Sequence, residues 1–144
     1  MTMPVLDATD QVMGRFASLV AKRLLRGEEI HVVNAEKALV TGGRSALIAE
    51  YLEKKHMGST TSRMRGKGPY YPKRPDRILR RVIRGMLPYQ SSHGRAAFKR
   101  LRVYMGVPRE VAGQPAEKVE GAGDIRTARF VRLGELAQRM GAKV

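Results

Sequence analysis

Four arginines between residues 77 and 84 are spaced so that they could bind phosphate together. Arg77, Arg80, Arg81 and Arg84 stand at positions i, i+3, i+4 and i+7, which share one face of an α-helix. A guanidinium is planar and permanently charged, and it contacts phosphate oxygens in pairs. Neighbouring guanidinium groups on a helix repel one another, and a polyanion relieves that repulsion. The spacing predicts a nucleic-acid-binding helix face, with a solvated face as the alternative.

The positive charge of the chain is concentrated around this helix. Residues 54–109 contain sixteen Lys and Arg and one acid, Asp76, so this basic segment carries the whole formal charge of +15. The rest of the chain has twelve basic and twelve acidic residues, which cancel. Arginine accounts for nineteen of the twenty-eight basic residues, which favours RNA over a membrane surface. We expect one domain, residues 1–144, with an RNA-facing basic segment.

A stretch without apolar periodicity, residues 55–74, precedes the arginine helix. It is rich in Gly, Ser, Thr and basic residues, and it contains two adjacent tyrosines. Aromatic rings stack on bases while basic side chains contact phosphates, so the stretch is expected to order on RNA. A flexible linker is the alternative. The candidate RNA-binding residues in it are Arg63, Arg65, Lys67, Tyr70, Tyr71, Lys73 and Arg74.

A third group of candidates lies where a short apolar stretch, residues 38–41, meets a helical pattern. Gly42, Gly43 and Arg44 stand at this junction. The free N–H groups and the dipole of a helix N-terminus favour an anion, and Arg44 adds a formal charge. A turn that simply needs glycine is an equally weighted alternative. A nucleotide-binding enzyme is disfavoured, because the G-x-G-x-x-G and G-x-x-x-x-G-K-[ST] spacings are missing.

Other chemistry finds little support in the residue types. Cysteine is absent and the three histidines show no ligand spacing, so we expect no disulfide, no metal and no cofactor. No nucleophile turn is present, which predicts no catalytic residue and no small-molecule substrate. No long apolar run and no signal-peptide pattern occurs, and a cytoplasmic protein that does not contact a membrane is therefore expected.

The elements that must position these residues begin with a strand, a helix and a second strand. Residues 4–7 and 30–34 are short apolar runs, and residues 13–26 repeat apolar positions at helical spacing, with Thr9 or Asp10 offered as the cap. This order and length are those of a right-handed βαβ unit. The sequence therefore predicts an α/β fold with a parallel sheet, whose strand order stays open.

The elements after residue 74 carry most of the candidate residues. Pro75 and Asp76 open the arginine helix, and the apolar stripe on its other face is Ile78, Leu79, Val82, Ile83 and Met86. A short helix over HGRAAFKR and a strand over LRVYM follow, and the alternation in that strand allows Arg100 and Arg102 to form an outward basic rim. Residues 106–144 form a C-terminal excursion, with a last short strand and helix near its end.

Three stretches of the chain resemble one known family. They are VLDATDQVMGRFASLVAKRLLRG, HVVNAEKALVTGG and VIRGMLPYQSSHGRAAFKRLRVYMGVP. In the third and most specific stretch, Gly85, Met86, Leu87 and Pro88 are followed six residues later by Gly94 and Arg95, and then by LRVYMG. The pattern is similar to that of the universal large-subunit ribosomal protein thirteen family, in the branch found in archaea and eukaryotes. The absence of a long helical extension after Val144 favours archaeal relatives.

The resemblance implies both a fold and a function. The fold would be a three-layer α/β/α domain around a four-stranded parallel sheet, with basic loop extensions. The protein would be a structural constituent of the large ribosomal subunit that binds large-subunit rRNA early in assembly, beside neighbouring ribosomal proteins and not as a homo-oligomer. Family contacts would fall at residues 42–44, 63–74 and 84–99, which adds Gly94, Arg95 and Lys99, with Arg100 beside them. A free-standing RNA-binding regulator remains the alternative.

Overall fold

The computed structural model describes residues 3–57 and 69–144, and a four-stranded parallel sheet lies at its centre. The strands of this sheet are β1 (Val5–Asp7), β2 (Ile30–Val33), β4 (Leu101–Val103) and β5 (Ala116–Glu117). Their order across the sheet is β4-β2-β1-β5. A second, antiparallel pair is formed by β3 (Leu39–Thr41) and β6 (Phe130–Arg132). The predicted parallel sheet is confirmed, and its strand order is now known.

Five α-helices surround the sheet in the described part of the chain. They are α1 (Met13–Leu25), α2 (Arg44–His56), α3 (Pro75–Met86), α4 (Ser92–Lys99) and α5 (Leu133–Arg139). Helices and sheet together form the three-layer α/β/α class that the resemblance implied. The larger core packs α1, α3 and α4 onto one face of the sheet. The opposite face carries a smaller cluster, in which Val5 and Val33 pack against Val111.

The first strand, helix and second strand form the predicted βαβ unit. β1 and β2 pair in parallel, with Val5 opposite His31 and Leu6 opposite Val32. The helix between them buries Phe16, Val20 and Leu24 completely. Burying these three side chains contributes roughly 1.5–3 kcal/mol each.

The predicted side-chain cap for α1 is wrong, because Val12 is the N-cap residue and its apolar side chain cannot accept a hydrogen bond from the first backbone N–H groups of the helix. Asp7 instead organises the preceding turn: its Oδ1 accepts hydrogen bonds from the Thr9 amide at 2.9 Å and the Thr9 hydroxyl at 2.6 Å. Asn34 Nδ2 also donates to this oxygen, at 3.1 Å. Partial burial raises the pKa of the Asp7 carboxyl, but these hydrogen bonds outweigh it and leave the pKa below its ordinary value.

The fourth strand of the sheet, β5, lies in the C-terminal excursion and was not predicted. Both of its residues, Ala116 and Glu117, are exposed, so no apolar alternation marks it. The strand is held by its backbone pairing with β1, where Val5 lies opposite Ala116. Backbone pairing leaves no trace in the sequence, and tertiary structure alone reveals it.

The apolar stripe of α3 is only partly core. Leu79 and Ile83 are completely buried and Ile78 is nearly so, in the same core as α1. Val82 is half-buried, and Met86 is 42% exposed. Met86 therefore lies outside the core, although its spacing places it in the apolar stripe, and it is the last residue of the helix.

Truncating the buried part of this stripe tests how far α3 depends on the core. We expect Leu79→Ala or Ile83→Ala to lower the free energy of unfolding by about 2–5 kcal/mol, since each leaves a cavity. Met86→Ala, on the same helix but exposed, is the matched control and should lower it by less than about 1 kcal/mol. Urea titration of the three variants measures the difference. Equal losses for Leu79→Ala and Met86→Ala would contradict the packing.

Candidate nucleic-acid interface

Helix α3 begins in a way that fixes which face its arginines occupy. Pro75 occupies the first turn, where its missing N–H is not needed, and Asp76 complements the positive end of the helix dipole. Asp76 also pairs with Arg74, with 3.3 Å between Oδ2 and Nη2. With the apolar side turned to the core, the arginines face outward: Arg77 and Arg80 are exposed, whereas Arg81 and Arg84 are half-buried.

Three of these four arginines lie over aromatic rings. The guanidinium carbon of Arg81 lies 4.0 Å from the ring centroid of Tyr71, that of Arg80 lies 4.5 Å from Phe98, and that of Arg84 lies 5.2 Å from Tyr89. Phe98 and Tyr89 in turn meet edge to face, with centroids 5.5 Å apart. Each such contact contributes about 0.5–1 kcal/mol at an exposed site. The rings therefore hold the guanidinium groups in position before any ligand binds.

The α3 arginine face, defined as Arg77, Arg80, Arg81 and Arg84, has no carboxylate partner within residues 3–57 and 69–144. The ion pairs of this part of the chain use Arg23, Arg44, Lys54, Arg74 and Arg132 as their bases. Residues 58–68 contain no acidic residue in the sequence, so none can come from there. Arg81 Nη1 donates to the Tyr70 carbonyl oxygen at 3.1 Å, and the other guanidinium donors of this face make no hydrogen bond to the described residues, so they are open to an external anion.

Two clefts border the α3 arginine face. The aromatic cleft, of about 620 Å³, is lined by Pro69, Tyr70, Pro72, Arg77, Arg80, Arg81, Arg84 and Phe98. The polar cleft, of about 280 Å³, is lined by Arg74, Asp76, Arg77, Arg80, Leu101, Arg102, Val103 and Tyr104. Arg77 and Arg80 line both, so the two clefts lie on either side of one guanidinium ridge. Such a ridge can contact several phosphates of one polyanion.

Arg102 lines the polar cleft, although only Arg100 was predicted to be an RNA-binding residue. Arg102 is exposed on β4, whereas Arg100 is half-buried and its Nη2 donates to the Leu24 carbonyl at 2.8 Å. Arg100 therefore has a structural contact, and its RNA-binding role stays a prediction. Strand alternation could not separate the two, because it places residues 100 and 102 on the same face. They differ because Arg102 lies within β4, whereas Arg100 precedes the strand as the C-cap residue of α4.

The Gly85, Met86, Leu87 and Pro88 motif and Gly94 are joined by one close contact. A Cβ added to Gly94 would lie 1.9 Å from the Pro88 carbonyl oxygen. Ser91 bridges the same turn: its Oγ donates to that oxygen at 2.8 Å and accepts from the Gly94 amide at 3.1 Å. Leu87 is buried beneath the turn, at 6% exposure. The close contact between Gly94 and Pro88 therefore determines how α4 is placed after the end of α3. Arg95 and Lys99 are exposed on α4.

The Gly42, Gly43 and Arg44 junction is a strand-to-helix turn, as predicted. Gly42 has φ of +135°, which a glycine adopts readily, and Gly43 is the N-cap residue of α2. Arg44 forms an ion pair with Glu135 at 2.5 Å, so its charge is partly used within the fold. A cleft of about 630 Å³ at this turn also contains Arg129 and Arg139, which sequence reasoning missed because they are distant along the chain.

The predicted loop residues divide into two groups. Tyr70 is 72% exposed, Tyr71 is half-buried beneath Arg81, and Lys73 and Arg74 are exposed. The remaining candidates, Arg63, Arg65 and Lys67, lie outside the described residues. Their RNA-binding roles stay predictions.

The described residues, 3–57 and 69–144, contain neither a metal-binding cluster nor a helix that could span a membrane. No group of three or more His, Asp or Glu side chains there is arranged to hold a metal ion. No helix there is long and apolar enough to cross a membrane.

A basic α/β protein whose guanidinium face has no carboxylate partner among the described residues has the surface that is typical of proteins that bind polyanions. A family model described as Ribosomal protein L13 matches residues 1–110. The chain belongs to this family of large ribosomal subunit proteins, as its sequence motifs suggested.

Archaeal relatives match almost the whole chain, and each is named large ribosomal subunit protein uL13. The protein of Methanosarcina barkeri is 49% identical over 98% of this chain and 99% of its own. That of Archaeoglobus fulgidus is 47% identical, over 95% of this chain and 86% of its own. That of Methanocaldococcus jannaschii is 45% identical, over 98% and 99%. The predicted archaeal branch of the family is confirmed.

Proposed function

We propose that this protein is a structural, non-catalytic constituent of the large ribosomal subunit that binds large-subunit rRNA through the α3 arginine face early in assembly. The observation that carries the proposal is the fixing of three guanidinium groups over aromatic rings without a carboxylate partner among the described residues. Membership of a family of large ribosomal subunit proteins supports large-subunit rRNA as the ligand. We further propose that residues 1–144 act as one domain in cytoplasmic ribosomes, beside other ribosomal proteins and not as a homo-oligomer.

The electrostatics of the surface support RNA as the partner. Arginines that are held in place lose little rotamer entropy on binding, so each phosphate contact contributes more of its energy to affinity. A chain that uses its charge inside the fold would pair it with acids, as Arg44 and Arg132 do. The arginines of α3 are not paired in this way. Phosphate is the anion that their planar, two-donor geometry fits best.

Sedimentation of native lysate on sucrose gradients tests the assignment. We expect stoichiometric amounts of the protein in large subunits, retained after a high-salt wash, because many phosphate contacts buried in folded RNA exchange slowly. Presence mainly in the free pool would overturn the ribosomal role and favour a free-standing RNA-binding regulator. Binding of the purified chain to deproteinised large-subunit rRNA supplies the second readout. With about eight phosphate contacts, log Kd should change with log salt at a slope of roughly five to seven.

A further inference from the structure

Tyr70 is an aromatic side chain to which the described residues provide neither a stacked ring nor a cation. Its ring is 72% exposed, the largest exposed fraction of any large apolar or aromatic side chain in residues 3–57 and 69–144. The three other rings bordering the α3 arginine face, Tyr71, Tyr89 and Phe98, each carry a guanidinium. Tyr70 carries none and stacks on no other ring of the described chain. Its face is therefore open to an external aromatic group.

The backbone of Tyr70 is nevertheless held in place. Arg81 Nη1 donates a hydrogen bond to the Tyr70 carbonyl oxygen at 3.1 Å, while the same guanidinium stacks on Tyr71. Pro69 and Pro72 stand on either side of the tyrosine pair, and each fixes its own φ near −65°. An exposed ring on a constrained backbone loses little entropy when it stacks on a ligand. Arg81 thus positions Tyr70 in addition to carrying charge.

The surroundings of the ring specify the chemistry of the ligand. Tyr70 lines the aromatic cleft together with Arg77, Arg80 and Arg84, so one flat apolar surface lies beside three cationic groups. A nucleotide has both complements, a base with a π face and a phosphate. The cleft volume of about 620 Å³ falls within the range of roughly 300–1,000 Å³ found for ligand pockets. A base inside a duplex cannot place its face against an external ring.

We propose that the aromatic cleft takes an unstacked nucleotide of RNA, with its base on the Tyr70 ring and its phosphates on Arg77, Arg80 and Arg84. This inference rests on the proposed function, which supplies RNA as the partner. The polar cleft beyond the ridge offers no free ring, because Tyr104 stacks on His31 with centroids 5.8 Å apart. Its guanidinium groups, including that of Arg102, contact the phosphates of the neighbouring nucleotides. The two sides of the ridge thus separate base stacking from phosphate binding.

The test compares two RNA probes with equal numbers of phosphates. One is a single strand of about ten nucleotides, within the site size of single-strand-binding proteins, with 2-aminopurine near its centre. The other is a blunt-ended, fully paired RNA duplex, which has no loop and no overhang. Full-length chains with Tyr70→Leu and Tyr70→Phe are compared with the parent, since the exposed ring makes no contact on which folding depends and Tyr70→Phe keeps the stacking surface.

The expected result separates stacking from charge. Tyr70→Leu should weaken binding of the single strand about 5- to 150-fold, as for the loss of one stacked base, and leave its salt dependence and the duplex affinity unchanged. Tyr70→Phe should bind like the parent. The parent should quench 2-aminopurine fluorescence, and Tyr70→Leu should not.

Other outcomes would overturn the inference without affecting the proposed function. Equal single-strand affinity for the parent and Tyr70→Leu would mean that the ring stacks on no base. Equal weakening toward both probes would mean that Tyr70 supports the surface generally. In either case, retention of the protein in large subunits on the sucrose gradient would still support the ribosomal role.

Discussion

Replacing Arg77, Arg80, Arg81 and Arg84 together with glutamine should lower affinity for deproteinised large-subunit rRNA by about two orders of magnitude or more. Glutamine keeps the first part of the aliphatic chain and a polar end group, although it is shorter than arginine, and it removes the charge and the two-donor geometry. The salt dependence should weaken as well: losing four phosphate contacts should reduce the slope of log Kd against log salt by about three. Filter binding across a salt series measures both quantities.

The fold should survive this change nearly intact. Removing the charges relieves repulsion of several tenths of a kcal/mol for each neighbouring pair, while it also removes three cation–π contacts of about 0.5–1 kcal/mol each. The two effects nearly cancel, so we expect the free energy of unfolding to fall slightly. A loss of binding in a folded variant can then be assigned to the surface.

A second quadruple variant separates the helix face from net charge. Lys22, Arg26, Arg126 and Lys143 are exposed and lie outside the basic segment, so changing them to glutamine removes the same four charges. This control should retain most of the rRNA affinity. Equal losses in the two quadruple variants would show that total charge, and not the α3 arginine face, determines binding.

Gly94→Ala should strongly lower the stability of the protein. The added Cβ would lie 1.9 Å from the Pro88 carbonyl oxygen and 2.3 Å from its carbon, both of which are backbone atoms. Backbone cannot move aside as a flexible side chain can, so α4 must shift away from the turn that follows α3. We expect a loss of about 3 kcal/mol or more, at or above the upper end of overpacking effects.

Gly85→Ala is the matched control, because Gly85 belongs to the same motif and an added Cβ there meets nothing within 4 Å. Gly85 lies inside α3, where alanine is the better helix former, and this change should raise stability by about 0.5–1 kcal/mol. Thermal and urea unfolding of both variants measures the two changes in the free energy of unfolding. A Gly94→Ala protein as stable as the parent would disprove the close approach as the reason for glycine.

The candidate site was predicted most accurately for the residues that lie together on one helix, α3. The spacing of the arginines and of Leu79 and Ile83 determines two faces of α3 by helix geometry alone, and both were confirmed in position. Met86 shares the helical spacing of the apolar stripe but lies outside the core, because spacing does not reveal where the core ends. Arg102 and Arg100 were not separated, since spacing does not show that the chain is still helical at Arg100 and becomes a strand only at residue 101.

The charge pattern, the βαβ unit, the arginine helix and the family motifs were determined by the sequence itself, because each depends on residues close together in the chain. Tertiary structure alone decided the β4-β2-β1-β5 strand order, the short strand β5 and the placing of Phe98 under Arg80. It also decided which tyrosine is occupied: the ring of Tyr71 lies beneath Arg81, whereas that of Tyr70 is exposed. The physical reason is that pairing and stacking join residues distant in sequence, whose local patterns carry no record of their partners.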